Sequence, residues 1–379
     1  MIALLKGLKT ICPSNNEEYD GIVLSDSRCD SPLMIEIGGA EWKVLHDVPS
    51  IWRYSNLMPK FSETVTRGEG FTPLRRWSEK DIYLKLEGFN PTGTYMDRGS
   101  SVLASFFKTY KPNDSAIIRY SKDFAISAAT YLTPSHRTKV VIEDPLKADP
   151  EELTSLVYLN AELCTERYRE AISYDNPLTI EGLKTIIFEI VERGITEGKI
   201  LVPSESGVLA LSIWKGIKDL EKANFETNFK IIAAVLEDNY PSYLKNIEGI
   251  QIEKIKLNEL IDNFIELTRK GVKVKLVSAL GVALAMKLGE GIVIVTGESK
   301  GVNLRGSQSF WNDIKKDIAK ALEGKKGMTA YEIWRELKEK YTLRGIYKAL
   351  ESLEAEGIVI SFFEMRKNKK VRKYSLFPS

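Results

Sequence analysis

The chain has 379 residues, 43% of them apolar and 28% charged, and its 54 Lys and Arg nearly cancel its 52 Asp and Glu. That balance fits an ordinary globular protein with room for two or three domains, and it excludes a whole-molecule polyelectrolyte partner for nucleic acid. Three cysteines (Cys12, Cys29, Cys164) are too few for a disulfide scaffold and fit a reducing cytoplasm, and no apolar run reaches the length of a membrane span or a signal-peptide core.

In chain order, residues 1–45 are short, polar and cysteine-containing. Residues 46–310 alternate short apolar runs with amphipathic stretches. Strands are expected at Ala116–Tyr120, Lys139–Ile142, Ile200–Val202, Ile231–Val235 and Gly291–Val295, and helices at 179–193 and 209–222. This alternation predicts parallel sheets covered on both faces. Residues 311–379 change character. Ile314, Ile318 and Leu322 mark one helix, and Thr329 with Glu332 forms a capping box. Ile333, Trp334, Leu337 and Tyr341 follow at helical spacing. Thr342 caps a third helix through Ile346, Leu350 and Leu353 that stops at Gly357. Two strand-like runs, 358–363 and 371–377, are joined by the basic connection Arg366-Lys367-Asn368-Lys369-Lys370.

Three helices followed by a basic-tipped hairpin resemble a winged helix-turn-helix domain. The middle region resembles threonine synthase, of the pyridoxal-phosphate fold type II family. The likeness is carried in order by Ile51-Trp52-Arg53-Tyr54, Gly68-Glu69-Gly70-Phe71-Thr72-Pro73-Leu74, Asn90-Pro91-Thr92-Gly93-Thr94-Tyr95-Met96-Asp97-Arg98-Gly99, Thr179-Ile180-Glu181-Gly182-Leu183-Lys184-Thr185 and Thr296-Gly297. The resemblance implies a two-lobed α/β body, tryptophan-synthase-β-like, with a small α+β winged helix behind it.

The same likeness exposes losses. The family's lysine, which forms the Schiff base with the cofactor aldehyde, aligns with Met96, whose thioether can neither condense nor carry a proton. The family's Ser-Gly-Asn becomes Ser121-Lys122-Asp123, which sets a carboxylate against the cofactor's ring oxygen. Its glycine-rich phosphate cradle becomes Glu205-Ser206-Gly207-Val208. A like-charge pair at contact costs about 1 kcal/mol in water and about 4 kcal/mol near a protein surface. Thr296, the expected partner of the pyridine nitrogen, alone survives. The expectation is therefore a vestigial pocket (Met96, Ser121, Lys122, Asp123, Glu205, Ser206, Gly207, Thr296), no catalytic residue and no cofactor. Threonine synthases often begin with a zinc-ribbon-like pair of C-x-x-C turns. Cys12-Pro13-Ser14-Asn15 and Cys29-Asp30-Ser31-Pro32 each keep one cysteine of two, so no metal is expected and free thiols are preferred to a Cys12–Cys29 disulfide.

Six of the nine residues from Met365 to Lys373 are Lys or Arg. Such a cluster beside a helix bearing Arg344 and Lys348 suits phosphate contact. Thr342, Arg344, Lys348, Arg366, Lys367, Lys369, Lys370 and Arg372 are the candidate nucleic-acid contacts. The functional expectation is an inactive threonine-synthase homologue in the cytoplasm that regulates transcription. Double-stranded DNA would be its partner, and its body would serve as a homodimerisation or effector-sensing module. One alternative is a pyridoxal-phosphate-dependent lyase or threonine synthase with a modified site. Another is a non-catalytic scaffold that binds protein or RNA through the winged helix.

Overall fold

Runs of β-branched residues flanked by turn signals build the body, and the computed structural model describes residues 2–3, 8–77, 80–237, 239–272, 274–297, 310–338, 340–355, 358–366 and 369–376. The chain divides into two units, Met1–Lys300 and Gly301–Ser379.

The first unit opens with five short strands: β1 (Ile2–Ala3), β2 (Lys9–Ile11), β3 (Glu18–Asp20), β4 (Ile22–Val23) and β5 (Met34–Glu36). β2 is central to an antiparallel trio with β3 and β5, and β1 pairs with β4. Next come β6 (Leu74–Arg76), β7 (Asp81–Leu86), α1 (Met96–Tyr110), β8 (Ala116–Arg119), α2 (Phe124–Leu132), β9 (Thr138–Val141), α3 (Pro150–Tyr158) and β10 (Glu162–Cys164). They are followed by α4 (Pro177–Leu183), α5 (Thr185–Glu192), β11 (Glu197–Pro203), α6 (Val208–Lys222), β12 (Asn228–Leu236), β13 (Ile250–Ile255), α7 (Leu257–Arg269), α8 (Ser278–Leu288) and β14 (Glu290–Val295).

These strands make two sheets. The smaller, in the order β10-β9-β8, is wholly parallel. The larger runs β13-β12-β11-β14-β7-β6 and is parallel except for β6, which closes one edge antiparallel. Its central strands are apolar on both faces because helices cover both: Ile200, Ile231 and Ile292 face one core, and Leu201, Ile232 and Val293 face the other. The small sheet's β8 shares the main core through Ala116 and Ile118. Its outer layer rests on a separate small cluster of Ala125, Ala129, Val140, Leu156 and Ala161.

Two features fix the start of α1. Gly99 and Gly182 let α1 and α4 cross at backbone contact, since a Cβ on Gly182 would lie 2.1 Å from the Arg98 carbonyl oxygen. Beneath that crossing, Arg98 is wholly buried between two carboxylates. It donates to Glu87 at 2.7 and 2.9 Å and to Glu189 at 2.6 Å. Lys85 completes the group at 2.6 Å from Glu189. Burial alone would raise the Glu87 carboxyl, but the charges of Arg98 and Lys85 prevail and hold it down at about 2. The helix expected at 179–193 is interrupted at Lys184.

The second unit comprises α9 (Phe310–Leu322), α10 (Ala330–Glu336), α11 (Leu343–Ala355) and the antiparallel pair β15 (Val359–Arg366) and β16 (Lys369–Leu376). Ile314, Ile318, Ile333, Ile346, Leu350, Leu353, Val359 and Tyr374 form its core. The capping box is present: Glu332 N donates to Thr329 Oγ1 at 3.1 Å and Thr329 N to Glu332 Oε2 at 2.8 Å. The helix expected through Tyr341 stops at Glu336 instead. Lys338 turns left-handed (φ +50°), and Trp334 Nε1 donates to the Tyr341 carbonyl at 2.8 Å, which draws the chain back so that Tyr341 still reaches the core. The basic connection is also shorter than expected, because Arg366 pairs with Lys369 and both lie in strands. Gly357, the expected stop of the third helix, lies outside the described residues.

Candidate functional site

Four loops at the carboxyl ends of strands converge on one cleft of about 740 Å³, within the size range of small-molecule sites. The first loop follows β7. Gly93 turns left-handed (φ +79°), Thr94 bridges to Gly297, and Tyr95 N donates to the Thr296 carbonyl at 2.9 Å. Asp97, in the first turn of α1, accepts from Thr92 N at 2.6 Å, Thr92 Oγ1 at 2.5 Å and Ser127 Oγ at 2.6 Å, which fixes the loop's shape. Met96 is the first residue of α1, buried, with a face on the cleft.

The second loop follows β8. Asp123 adopts φ +67° at the start of α2, and its amide donates to Glu152 Oε1 at 3.0 Å. Lys122 is 68% exposed at its side chain and pairs with Asp149 at 3.0 Å, not with Asp123 or Glu205. Ser121 lines the cleft, and its Oγ is buried with no hydrogen-bond partner among the described residues.

The third loop, Ser204–Gly207, follows β11 and leads into α6. Gly207 has φ +77°, and a Cβ there would lie 2.6 Å from Tyr243 Oη, so the position admits only glycine. Tyr243 Oη donates to the Ser206 carbonyl at 2.8 Å. Glu205 and Ser206 line the cleft and are exposed. The fourth loop follows β14: buried Thr296 shares a 2.8 Å hydroxyl contact with Ser278, and its amide donates to Ser278 Oγ at 3.1 Å.

Sequence reasoning missed Lys275. Its Nζ lies 2.5 Å from Asp123 Oδ2, so an ammonium from the segment before α8 meets a carboxylate from the small-sheet side. It also missed Tyr95 and Tyr174, whose hydroxyls share a 2.8 Å contact at the cleft wall, burial pushing both phenols well above the usual range. No motif in the surrounding Val274-Lys275-Leu276-Val277 flags the lysine. Tyr95 lies inside the Asn90–Gly99 loop, directly before Met96.

In the first 30 residues, Cys12 and Cys29 are joined as a disulfide, with Cα atoms 5.8 Å apart. This corrects the expectation of free thiols. The β2 and β3 pairing turns the chain so that residues far apart in sequence meet. Among the described residues, no group of three or more His, Cys, Asp or Glu could hold a metal ion. No helix among them is long and apolar enough to cross a membrane.

In the second unit, Thr342 Oγ1 accepts from Gly345 N at 3.1 Å at the start of α11. Arg344 and Lys348 are exposed and line a concavity with Lys340, Tyr341 and Ile314. Lys370 is exposed, its Nζ 4.4 Å from the Phe363 ring centroid. Arg372, by contrast, is engaged within the unit, donating to Glu354 at 2.7 Å and Ser361 at 3.0 Å. Arg366 and Lys369 are placed by their strand pairing alone, and Lys367 lies outside the described residues.

Residues 65–307 match the family described as "Pyridoxal-phosphate dependent enzyme". The chain is 26% identical over 280 residues to threonine synthase of Methanosarcina acetivorans, covering 64% of each chain. It is 27% identical over 203 residues to that of Methanocaldococcus jannaschii, covering 45% of this chain and 49% of the relative. The match thus spans less than two thirds of either relative's length. The structure of maize serine racemase superimposes with a TM-score of 0.50 at 16% identity, over 65% of this chain and 93% of that one, which shows the shared fold. The family match overturns the expectation of no cofactor. The physical objection behind that expectation also weakens: Asp123 is neutralised by Lys275 at 2.5 Å, and Glu205 stands exposed, where water screens it.

Proposed function

The chain belongs to the pyridoxal-phosphate-dependent enzyme family, and on that premise we propose that its first unit binds pyridoxal phosphate and acts on a small amino acid through a modified threonine-synthase-like site. The observation that carries the reading is the buried, unpartnered Ser121 Oγ on a cleft that also offers a left-handed glycine at a helix N-terminus, a buried hydroxyl and an amine. The residues present fit the group. Gly207 and the first amides of α6 suit the phosphate, because a 15-residue helix directs unpaired N–H groups and its positive dipole end at an anion. The Thr296 hydroxyl, oriented by Ser278, suits the ring nitrogen, and Ser121 Oγ offers a further hydrogen bond.

Bound there, the group would serve as an electron sink for negative charge developing on the substrate's carbon atoms. The chain's own part is to orient and to exclude water. The Tyr95 and Tyr174 hydroxyls stay protonated as donors at neutral pH, since burial disfavours their anions. Met96 stands where the family's lysine would be and moves no proton. The reading of an inactive homologue rested on Met96 together with two carboxylates, and the presence of Lys275 in the cleft tells against it. Equilibrium dialysis of the full chain against pyridoxal phosphate tests the reading. Stoichiometric retention that Gly207→Val abolishes supports it, whereas no retention by the unaltered chain overturns it.

A second reading concerns the C-terminal unit, which we propose is a winged helix that contacts double-stranded DNA. It is favoured by the exposure of Arg344 and Lys348 on α11 while Ile346, Leu350 and Leu353 fill the core. Helix start and hairpin are the parts such domains present to a groove and to phosphates. Two copies of the chain would offer two such units to paired half-sites. Fluorescence anisotropy with duplex DNA across a salt series decides it. Each lost phosphate contact should lower the salt slope by about one unit. Unchanged affinity after neutralising Arg344, Lys348 and Lys370 together would transfer this unit to a protein partner.

A further inference from the structure

We propose that Lys275 is the residue through which this chain bonds pyridoxal phosphate covalently, in place of the amine that Met96 lacks; the inference rests on the reading of the first unit given above. Among the described residues two lysines line the cleft, and they differ sharply. Lys122 is 68% exposed and held outward by Asp149. Lys275 is 20% exposed at its side chain and lies inside. Its backbone N donates to the Gly297 carbonyl at 3.3 Å, which anchors the segment against the end of β14.

The position of its Nζ is defined by a missing side chain. A Cβ on Gly297 would fall 2.9 Å from Lys275 Nζ and 2.8 Å from the Gly93 carbonyl oxygen. The amine therefore stands beside the Thr94–Gly297 bridge, against the same loop that carries Met96. Gly297 keeps that space open. Any larger residue there would meet the amine or the loop backbone. Leu276 and Val277, the next two residues, also line the cleft. Asp123 Oδ2, 2.5 Å away, fixes the direction in which the amine points.

The step balances without a further reactant. The ammonium of Lys275 gives one proton to solvent water. The freed amine adds to the aldehyde carbon, its two remaining hydrogens leave with the aldehyde oxygen as water, and a C=N bond stands where C=O was. No electrons are exchanged with any other group. Asp123 thus has a use in this chain: it orients its own cleft lysine.

The test uses the full chain incubated with pyridoxal phosphate, reduced with borohydride, digested and read by mass spectrometry. The pyridoxyl group is expected on the peptide containing Lys275. Lys275→Arg keeps a cation beside Asp123 but removes the nucleophile, and should cut the label by on the order of tenfold or more while dialysis still shows retained cofactor. Its thermal midpoint, compared with that of the unaltered chain, confirms folding. Asp123→Asn and Lys122→Arg should each leave the label on the Lys275 peptide. A label on another lysine, or retained cofactor that borohydride never fixes, overturns the inference and leaves the proposed function standing. Failure to retain the cofactor at all removes both.

Discussion

Arg98→Met removes one of the two cations, with Lys85, that hold the buried Glu87 and Glu189 carboxylates together. Arg98 and Glu87 are wholly buried and Glu189 nearly so, with donor–acceptor distances of 2.6 to 2.9 Å. Two cations, Arg98 and Lys85, balance two anions, so the variant leaves one uncompensated buried negative charge. Breaking a buried pair in this way costs about 3–5 kcal/mol, a large share of the roughly 5–15 kcal/mol that keeps a domain folded. The pH dependence should also change sign. In the unaltered chain the Glu87 carboxyl is depressed to about 2, so its contribution is complete above its unfolded value near 4.5 and is lost as pH falls toward 2. Without Arg98, burial dominates and the carboxyl rises. The folded state then binds more protons than the unfolded one, and stability falls as pH rises above the unfolded value near 4.5. Urea unfolding of the first unit at pH 5 and pH 8 reads both effects. Pairing Arg98→Met with Glu87→Gln restores charge balance and should recover about 1–3 kcal/mol. A single-variant loss below about 1 kcal/mol, or a double variant no better than the sum of its parts, would refute the reasoning.

Gly182→Ala should destabilise the α1–α4 crossing by about 1–3 kcal/mol or more, because its Cβ would lie 2.1 Å from a backbone oxygen that cannot move aside cheaply; a thermal midpoint within error of the unaltered chain would count against it. Thiol titration of the chain unfolded without reductant should find Cys164 alone, and all three cysteines after reduction. Arg372→Ala should loosen the hairpin in hydrogen exchange yet leave the salt slope for DNA where it was, since its guanidinium is already held by Glu354 and Ser361.

The inner strands β11, β12 and β14 were legible in sequence because each is a short apolar run covered on both faces, whereas β7, β10 and β13, more polar, were not among the expected strands. Ile200–Val202 and Ile231–Val235 fall inside observed strands, and the run expected at Ala116–Tyr120 ends one residue earlier, at Arg119. Boundaries decided by tertiary bonds were not legible. The end of α10 depends on Trp334 reaching the Tyr341 carbonyl, and the break at Lys184 falls inside a run of apolar residues that reads as one helix. At the site, the loop around Met96 was legible from its motif, whereas the left-handed turn at Gly207 lies in a stretch that reads only as a lost glycine cradle. Charge pairing was not legible. Asp123 reads as a hostile carboxylate until Lys275, 152 residues later in the chain, is seen beside it. The Cys12–Cys29 bond was likewise invisible to spacing alone.

The outer layer of the small sheet has a thermal consequence. α3 is fastened to the body by the small cluster around Ala125, Val140 and Leu156, and by Glu152, which accepts from the Asp123 amide and from Tyr120 Oη at 2.9 Å. Layers with so little apolar backing open by local fluctuation well before the whole unit unfolds. Amide protons of α3 and β10 should therefore exchange faster than those of β11 and β12. Because Asp149, Glu151 and Glu152 of this layer border the cleft, an occupant touching them would slow that exchange from a distance, so the breathing of one helix becomes a gauge of whether the cleft is filled.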